Sequence, residues 1–345
     1  MIQTESSIPQ NDHPTPNSLY LIGTGFSKGI CPKVPLNNEL LPELLKCNCS
    51  PELEEYSALY PTDNIEELFT WLDMKSAKCE RVKEARKRIN AALAQYFSQF
   101  GILGICDSSK KWLKRFAEEV LKPNDAIVSL NYDCLLEGAL DTYVVWSPNG
   151  GYPASLGYPL SDFSIRPNAQ GIVMYKVHGS VNFHEGVLRP KEPYPDQGRT
   201  INIEANRQLF PSSCQYVDVA PAESLGQAII APSYVKIPHF EIARMMLEVL
   251  DIAETANTMV IVGCSLRPED SFLRLILRRF YVGKRHPVKR LIVVDPHPDR
   301  SLTEINKFWP EDVGRDLEVR MIRGGIEDSI VSLITELKPN DYLVP

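Results

Sequence analysis

Short apolar runs of four or five residues alternate along the chain with longer amphipathic segments. This alternation predicts strands that are interleaved with helices. Most of the runs carry apolar residues on both faces, so we expect helices to cover the sheet on each side. The predicted fold class is therefore α/β, with a doubly wound parallel sheet. The predicted strands are 19–22, 126–130, 173–177, 227–231, 258–262, 290–294 and 317–321.

The longest helical stretch of the pattern lies between the first two strands, at about 50–122. Asn64 is placed to cap one of its helices, and the segment 79–100 keeps apolar residues at helical spacing until Gly101 ends it. We therefore predict a helical subdomain inserted into the α/β domain. The other face of 79–100 is rich in Lys and Arg, which indicates either a solvated face or a surface for a partner or a second copy.

The rest of the chain divides into a flexible polar leader at 1–17, one domain at 18–340, and an irregular, proline-rich insertion at about 185–226 within that domain. Hydrophobic residues make up 43% of the chain and charged residues 23%, as in globular proteins. The sequence contains no run of eighteen apolar residues, the length needed to span a membrane. The leader lacks the features of a signal peptide. We therefore expect a cytoplasmic protein without a membrane partner.

Net charge and cysteine spacing narrow the classes of ligand. The net charge of −7 argues against broad electrostatic binding of nucleic acid, and we expect no direct sequence-specific binding. The eight cysteines include no Cys-x-x-Cys pair, which argues against a structural zinc site. We expect no metal, and we interpret most of the cysteines as core residues or ordinary thiols.

The first predicted strand runs straight into a glycine-rich loop, Gly23-Thr24-Gly25-Phe26-Ser27. Glycines at its first and third positions allow a tight turn and a close approach to a ligand, and N–H groups at the start of the next helix would face an anion. Together with Gly29 the spacing is Gly-x-Gly-x-x-x-Gly, which differs from the dinucleotide fingerprint and from the P-loop. An ordinary glycine turn is the alternative.

Small or polar residues also follow four other predicted strands. Each has an ordinary alternative, such as a turn, a helix cap or a core histidine. Ligands of doubly wound sheets bind beyond the carboxyl ends of the strands, so the coincidence of these residues with the glycine loop favours a nucleotide site. The residues are Asn131 and Asp133, His178, Gly263 and Ser265, and Asp295.

Physical roles follow from these residue types. The glycine loop and the turn 263–265 would offer N–H groups and hydroxyls to a pyrophosphate, and Asp295 would accept hydrogen bonds from a ribose. Asn131, Asp133 and His178 would face the reactive end of the ligand. There an asparagine can orient a ribose hydroxyl or a water molecule, and a histidine can take a proton from either.

The ordered set Gly-Thr-Gly-Phe-Ser, Asn-Tyr-Asp, His-Gly-Ser, Gly-Cys-Ser-Leu and Asp-Pro resembles the sirtuin-like family over about residues 18–335. It looks most similar to the zinc-free branch found in bacterial anti-phage defence effectors. The resemblance implies a Rossmann-like domain with a helical subdomain, NAD as the substrate, and Asn131 and His178 as the catalytic pair. It also implies that Asp133 holds the nicotinamide amide, that Gly263 and Ser265 form a phosphate- and ribose-side turn, and that Asp295 contacts the adenosine ribose.

Three departures from the protein-deacylating sirtuins affect the predicted reaction. The two Cys-x-x-Cys zinc pairs are missing, the segment 29–34 differs from Gly-Ile-Pro-x-Phe-Arg, and Leu130 replaces a glutamine. The resemblance then implies an NAD glycohydrolase that releases nicotinamide and ADP-ribose. The first alternative is an NAD-dependent deacylase or ADP-ribosyl transferase, with 185–226 as its peptide groove, and the second is a nucleotide-sensing scaffold without turnover.

Unrestrained loss of NAD would be toxic, so the resemblance implies that the activity is gated. We expect a homo-oligomer and a companion defence protein, such as an ATPase, a nuclease or a sensor. Both the segment 79–100 and the closing helix are candidate assembly surfaces.

Overall fold

The computed structural model describes residues 18–153, 156, 170–187, 199–204, 206–213, 226–234, 239–266, 270–282, 289–308 and 317–338. The predicted leader at 1–17 therefore lies outside the described residues. Among the helices of the described ranges, none combines the length and the apolarity needed to cross a bilayer.

Six parallel strands form the main sheet in the order β3-β2-β1-β7-β8-β9. The α/β class and the parallel doubly wound sheet are thereby confirmed. β1 is central, and its last four residues are buried because helices cover both faces of the sheet. The strands are β1 (Ser18–Ile22), β2 (Ala126–Ser129), β3 (Val173–Lys176), β7 (Thr258–Val262), β8 (Lys289–Asp295) and β9 (Leu317–Arg323).

The strand order creates a topological switch point between β1 and β7. From β1 the chain moves outwards to β2 and β3, and it later returns to place β7 on the other side of β1. The loops that follow β1 and β7 therefore leave the sheet in opposite directions and open a crevice at its carboxyl edge, where doubly wound folds bind ligands.

Helices pack in a layer on each face of this sheet, and their contacts with one another define the two layers. Buried apolar residues of both layers join those of the strands in one continuous core. One layer contains α1 (Thr24–Ile30), α6 (Asp107–Arg115), which continues into a π-helical turn at Phe116–Val120, α7 (Leu135–Tyr143) and α12 (Ile326–Leu337). The other contains α9 (Phe240–Thr255), α10 (Ser271–Val282) and α11 (Pro298–Phe308).

The chain between β1 and β2 is helical, as the pattern predicts. Asn64 caps α4, since its side chain accepts the N–H of Glu66 at 2.9 Å. Most of the basic residues on the outer face of α5 form ion pairs within the chain, which favours the solvated-face interpretation. The helices of this part and of the short stretch after α7 are α2 (Asn37–Lys46), α3 (Pro51–Leu59), α4 (Ile65–Ser76), α5 (Glu80–Ser98) and α8 (Pro148–Gly151).

A second sheet of three antiparallel strands, in the order β5-β4-β6, lies between α5 and the end of β3. The structure corrects two of the sequence-based predictions in this region. The run at 227–231 belongs to this sheet and not to the main one, and the interval 185–226 is not irregular throughout because it contains β5 and the end of β4. The strands are β4 (Gly179–Val187), β5 (Arg199–Ile203) and β6 (Gly226–Ile229).

Candidate active site

The loops that follow β1 and β7 interlock at the centre of the crevice. The N–H of Gly25 donates to the carbonyl of Gly263 at 2.9 Å, and a Cβ on Gly25 would lie 2.8 Å from Gly263 Cα. Gly263 has a φ of +61°, and a Cβ there would lie 2.3 Å from the backbone nitrogen of Phe26. Only residues without a side chain allow this approach. The glycines are therefore required to bring the two loops together.

These contacts change the role predicted for the glycine loop. The N–H groups of Gly23, Gly25 and Phe26 all donate to backbone carbonyls of the protein. The prediction that the loop offers its N–H groups to a pyrophosphate is therefore wrong for these three. The N–H of Thr24, at the start of α1, has no partner among the described residues. Its contact with an anion stays a prediction.

Asn131 follows β2 and is only 6% exposed. Its Nδ2 donates to the carbonyl of Gly23 at 3.0 Å and to the hydroxyl of Ser27 at 2.9 Å. Both amide hydrogens are thereby used, and the orientation of the amide is set. Its Oδ1 is buried and has no hydrogen-bond partner among the described residues. Such an atom costs about 1–3 kcal/mol, so this acceptor marks a place where a ligand group would donate.

Ser27 links Asn131 to Asp133. Its hydroxyl accepts from Asn131 and donates to Oδ1 of Asp133 at 3.0 Å, and the same oxygen accepts the N–H of Leu135 at 3.1 Å in the first turn of α7. Both side chains are almost fully buried. The helix-cap alternative for Asp133 is therefore present in the structure. Ser27 and Asp133, both predicted as ligand contacts, hold Asn131 in place.

His178 follows β3 and lies against the same turn. Its Nδ1 is 3.3 Å from the carbonyl of Leu130, the residue before Asn131, and its Nε2 is 3.7 Å from Oδ2 of Asp270. Its backbone carbonyl accepts the N–H of Ile230 at 2.8 Å, which ties it to the second sheet. A carbonyl at one ring nitrogen and a carboxylate near the other both stabilise a protonated imidazole. The ring is therefore suited to receive a proton.

The side chain of Phe26 lies outside the crevice. The ring is fully buried and packs edge-on against Trp112 at 5.4 Å and Phe116 at 4.9 Å. Its prediction as a ligand contact is therefore wrong for the side chain, which instead fixes α1 to the helical layer.

Ser265 and Asp295 lie along the same edge of the sheet, on the other side of β1. Ser265 is exposed just after the Gly263 turn. Asp295 ends β8, and its Oδ1 accepts the N–H of His297 at 2.6 Å. The crevice thus extends from β3 to β8, four strand spacings or roughly 19 Å. The structure places the glycine loop at its middle, Asn131 beside that loop, His178 at the β3 end and Asp295 at the β8 end.

Two residues of this region are absent from the sequence-based predictions. Asp270 caps α10 by accepting the N–H of Leu273 at 3.2 Å, and it also approaches His178. In the sequence, Asp270 is a carboxylate at the start of a predicted helix, and four strands separate it from His178. No local pattern therefore predicts its contact with His178. Lys176 is completely buried beneath Asp133. Its one signal in the sequence is a charge inside an apolar run.

No three His, Cys, Asp or Glu side chains within the described ranges come together as a metal site would require. The expectation of a metal-free site stays a prediction.

A sequence model of the SIR2-like domain family matches residues 125–312, more than half of the chain. The chain belongs to the SIR2-like domain family. The resemblance drawn from the motifs is thereby confirmed at the level of the family. The matched region holds Asn131, His178, Gly263 and Asp295, whereas the glycine loop lies before it. A search of curated proteins gives no match to this SIR2-like chain.

Solved structures similar to this SIR2-like domain include a Sir2 homologue in complex with NAD. It has 14% sequence identity and a TM-score of 0.39, and the match covers 92% of this chain and 88% of that one. A mutant Sir2 homologue in complex with ADP-ribose has 13% identity and a TM-score of 0.36, with 94% and 95% covered. Sir2Tm bound to a propionylated peptide has 14% identity and a TM-score of 0.34, with 92% of each chain covered.

Proposed function

We propose that this SIR2-like chain is an NAD glycohydrolase that cleaves the nicotinamide–ribose bond and releases nicotinamide and ADP-ribose. NAD is the substrate, and it binds along the carboxyl edge of the sheet. The family membership and the NAD and ADP-ribose complexes of the similar structures support the choice of ligand. The zinc-cysteine pairs of deacylating sirtuins are absent from the sequence, which supports water over an acyl-lysine as the acceptor.

The observation that carries the proposal is the buried, unpartnered Oδ1 of Asn131. An asparagine amide fixed by two donated hydrogen bonds presents an acceptor of defined direction. A water molecule or a ribose hydroxyl is a donor that would satisfy it. Because the acceptor is fixed before the substrate arrives, the reacting oxygen is oriented without further ordering of the protein.

The reaction balances with groups of this site. The bond between the ribose carbon and the nicotinamide nitrogen breaks, and nicotinamide leaves as a neutral molecule with the bonding electron pair. The positive charge that remains on the ribose is shared with its ring oxygen. A water molecule oriented by Asn131 adds to that carbon, and His178 accepts the proton that the water loses. Asp270, 3.7 Å from His178, stabilises the resulting imidazolium.

The remaining predicted contacts bind the rest of the dinucleotide. Thr24 and Ser265 supply donors to the pyrophosphate at the switch point, and Gly263 allows its close approach. Asp295 accepts hydrogen bonds from the adenosine ribose through the carboxylate oxygen that its turn with His297 leaves available. Asp133 acts on the nicotinamide end through Asn131, which it helps to hold.

We further propose that the enzyme is cytoplasmic and gated, as an effector of anti-phage defence that depletes NAD. A homo-oligomer and a companion ATPase, nuclease or sensor would supply the gate. The paired charges on α5 argue against that helix as the assembly surface, so α12 is the better candidate. Its Val331 is 57% exposed on the outside of the domain.

The test is cleavage of NAD by the purified protein, alone and with lysate of phage-infected cells as the trigger. Nicotinamide and ADP-ribose are quantified by chromatography, and an acetylated peptide is added in a parallel reaction to detect acyl or ADP-ribosyl transfer. We expect Asn131→Ala and His178→Ala to lower the rate by at least about 100-fold. If both variants deplete NAD as fast as the wild type, the assignment is wrong.

Asn257→Ala is a matched control. Asn257 also has a buried Oδ1 without a partner among the described residues, but it lies just before β7, at the opposite edge of the sheet. Its substitution should leave the rate within about twofold of wild type, since no substrate group reaches that edge. Binding of ADP-ribose without NAD cleavage under every condition would instead favour the nucleotide-sensing scaffold.

A further inference from the structure

A fully buried ion pair lies directly beneath the turn that carries Asn131 and Asp133. Nζ of Lys176, at the end of β3, is 2.7 Å from Oε1 of Glu137 in α7. The two side chains are 0% and 1% exposed. Isolated charges are very rarely buried to this extent, and a buried pair is often no more stabilising than apolar residues of the same size. Stability alone therefore does not explain its presence here.

The second partner of Lys176 supplies such a reason. Nζ also donates to the backbone carbonyl of Asp133 at 2.5 Å. Burial alone would lower the pKa of Lys176, but the adjacent carboxylate of Glu137 raises it, so the ammonium group stays charged at neutral pH. A charged donor makes a stronger hydrogen bond to a carbonyl than a neutral one does. The carbonyl of Asp133 is therefore held firmly.

The neighbouring peptide group of the turn is held from the second sheet. The carbonyl of Tyr132 accepts the N–H of Val181 at 2.9 Å and the hydroxyl of Ser180 at 3.3 Å. Successive carbonyls of the turn are thus fixed from different sides, one by β3 and one by β4. On this fixed backbone the side chains of Asn131 and Asp133 both bond to the hydroxyl of Ser27 in the glycine loop.

We propose that Lys176 is a positioning residue of the active site, which fixes the Asn131–Asp133 turn through the carbonyl of Asp133, with Glu137 as the counter-charge that allows its burial. The inference rests on the proposed function for its catalytic consequence. Because a displacement of about 1 Å at a reacting group can reduce a rate about 100-fold, loss of this contact should lower kcat with little change in KM.

The test separates positioning from charge compensation with two variants. Lys176→Met alone leaves Glu137 buried without a counter-charge, with only the hydroxyl of Tyr152 donating to it at 3.4 Å, and should lower the Tm by about 10 °C. The double variant Lys176→Met/Glu137→Leu removes both charges, so its Tm should return to within about 3 °C of wild type. Its kcat should still be about 100-fold below that of wild type, because the backbone carbonyl of Asp133 has lost the Lys176 donor.

Hydrogen exchange measured by mass spectrometry gives a readout that does not depend on activity. The amides of Leu135 and Val181, whose partners are the Asp133 side chain and the Tyr132 carbonyl, should exchange about tenfold faster in the double variant. Glu137→Gln is the complementary variant, since it removes the counter-charge but keeps the amine of Lys176 beside the carbonyl of Asp133. Its Tm should fall, because burial then disfavours the charged form of Lys176. A neutral amine still donates to the carbonyl, so kcat should fall by less than about tenfold, even if the double variant fails to fold.

Lys289→Met is the matched control. Lys289 is also a buried lysine on a strand of the main sheet, and it donates to the carbonyl of Glu254 at 2.8 Å, but it lies at the start of β8. Its kcat should stay within about twofold of wild type.

A double variant with wild-type kcat or wild-type exchange, or a folded Glu137→Gln variant whose kcat falls by about 100-fold, as for the double variant, would overturn the inference. If the wild type releases no nicotinamide either alone or with the lysate of phage-infected cells, the proposed function fails. In that case the exchange rates alone decide whether Lys176 holds the turn.

Discussion

The hydroxyl of Ser27 is the link between the glycine loop and the catalytic turn, and Ser27→Ala removes that link alone. The substitution deletes one oxygen that accepts from Asn131 at 2.9 Å and donates to Asp133 at 3.0 Å. Ser329, in the first turn of α12, provides a matched comparison. It is buried to the same 2% exposure, but its hydroxyl has no partner among the described residues.

The two substitutions should change the free energy of unfolding by different amounts and in opposite directions. A hydrogen bond to a carboxylate contributes about 1.5–3 kcal/mol and a neutral one about 1 kcal/mol, so Ser27→Ala should lower the free energy of unfolding by about 2–4 kcal/mol. Ser329→Ala replaces a buried, unpaired hydroxyl with hydrogen. It should leave the free energy of unfolding unchanged or raise it by up to about 1 kcal/mol.

Urea denaturation followed by tryptophan fluorescence measures both variants against wild type. The m-value serves as the check that unfolding exposes the same surface in all three proteins. A Ser27→Ala variant no less stable than Ser329→Ala would refute the reasoning, because it would mean that the hydroxyl bridge contributes nothing net. Turnover of NAD in the same samples should fall for Ser27→Ala only, since the amide of Asn131 then keeps one of its two anchors.

Three further predictions concern single side chains. Asp270→Asn keeps the cap of α10 but removes the charge beside His178, so kcat for NAD cleavage should fall on the order of tenfold at unchanged Tm. Burial raises the pKa of Asp125 to about 6, so its contribution to stability is full below about pH 4 and is lost as the pH rises through 6. Wild type should therefore lose roughly 1–3 kcal/mol more unfolding free energy than Asp125→Asn between pH 4 and 7, measured by urea denaturation; equal losses would contradict this. Hydrogen bonds from Ser108 and then from Ser109 lower the pKa of exposed Cys106 to about 7, so iodoacetamide at pH 7 should alkylate it before the other exposed cysteines, and more slowly in Ser109→Ala, as peptide mass spectrometry will show.

The main sheet could be predicted because each of its strands carries its own local signal. Runs such as 258–262 are apolar on both faces and are bounded by turn residues, so their burial is visible without knowledge of their neighbours. The second sheet could not be predicted in this way. β5 lies in a proline-rich stretch and becomes a strand through its pairing with β4. Pairing between distant segments depends on tertiary contacts that no local pattern encodes.

The residues of the candidate site also differ in whether a local sequence pattern predicts them. Asn131 and His178 can be predicted as site residues because they follow strands, and ligands of such sheets bind at the carboxyl ends of the strands. The hydrogen bond from Ser27 to Asp133 spans 106 residues, so the role of Ser27 as a support for Asn131 could not be read from its position in a glycine loop. The same holds for Asp270 and Lys176, whose functional neighbours come from other elements of the fold.

The unusual spacing of the glycine motif now has a physical explanation. Its first two glycines meet the β7 turn, where a Cβ on Gly23 would lie 2.5 Å from the carbonyl oxygen of Gly263. Its third, Gly29, sits in the last turn of α1, where a Cβ would lie 3.1 Å from Ile326 of α12 and 3.8 Å from Trp112. The third glycine thus serves the packing of helix on helix and not the ligand. Its distance from the loop is set by where α1 crosses its layer, and for that reason the motif need not follow the dinucleotide fingerprint.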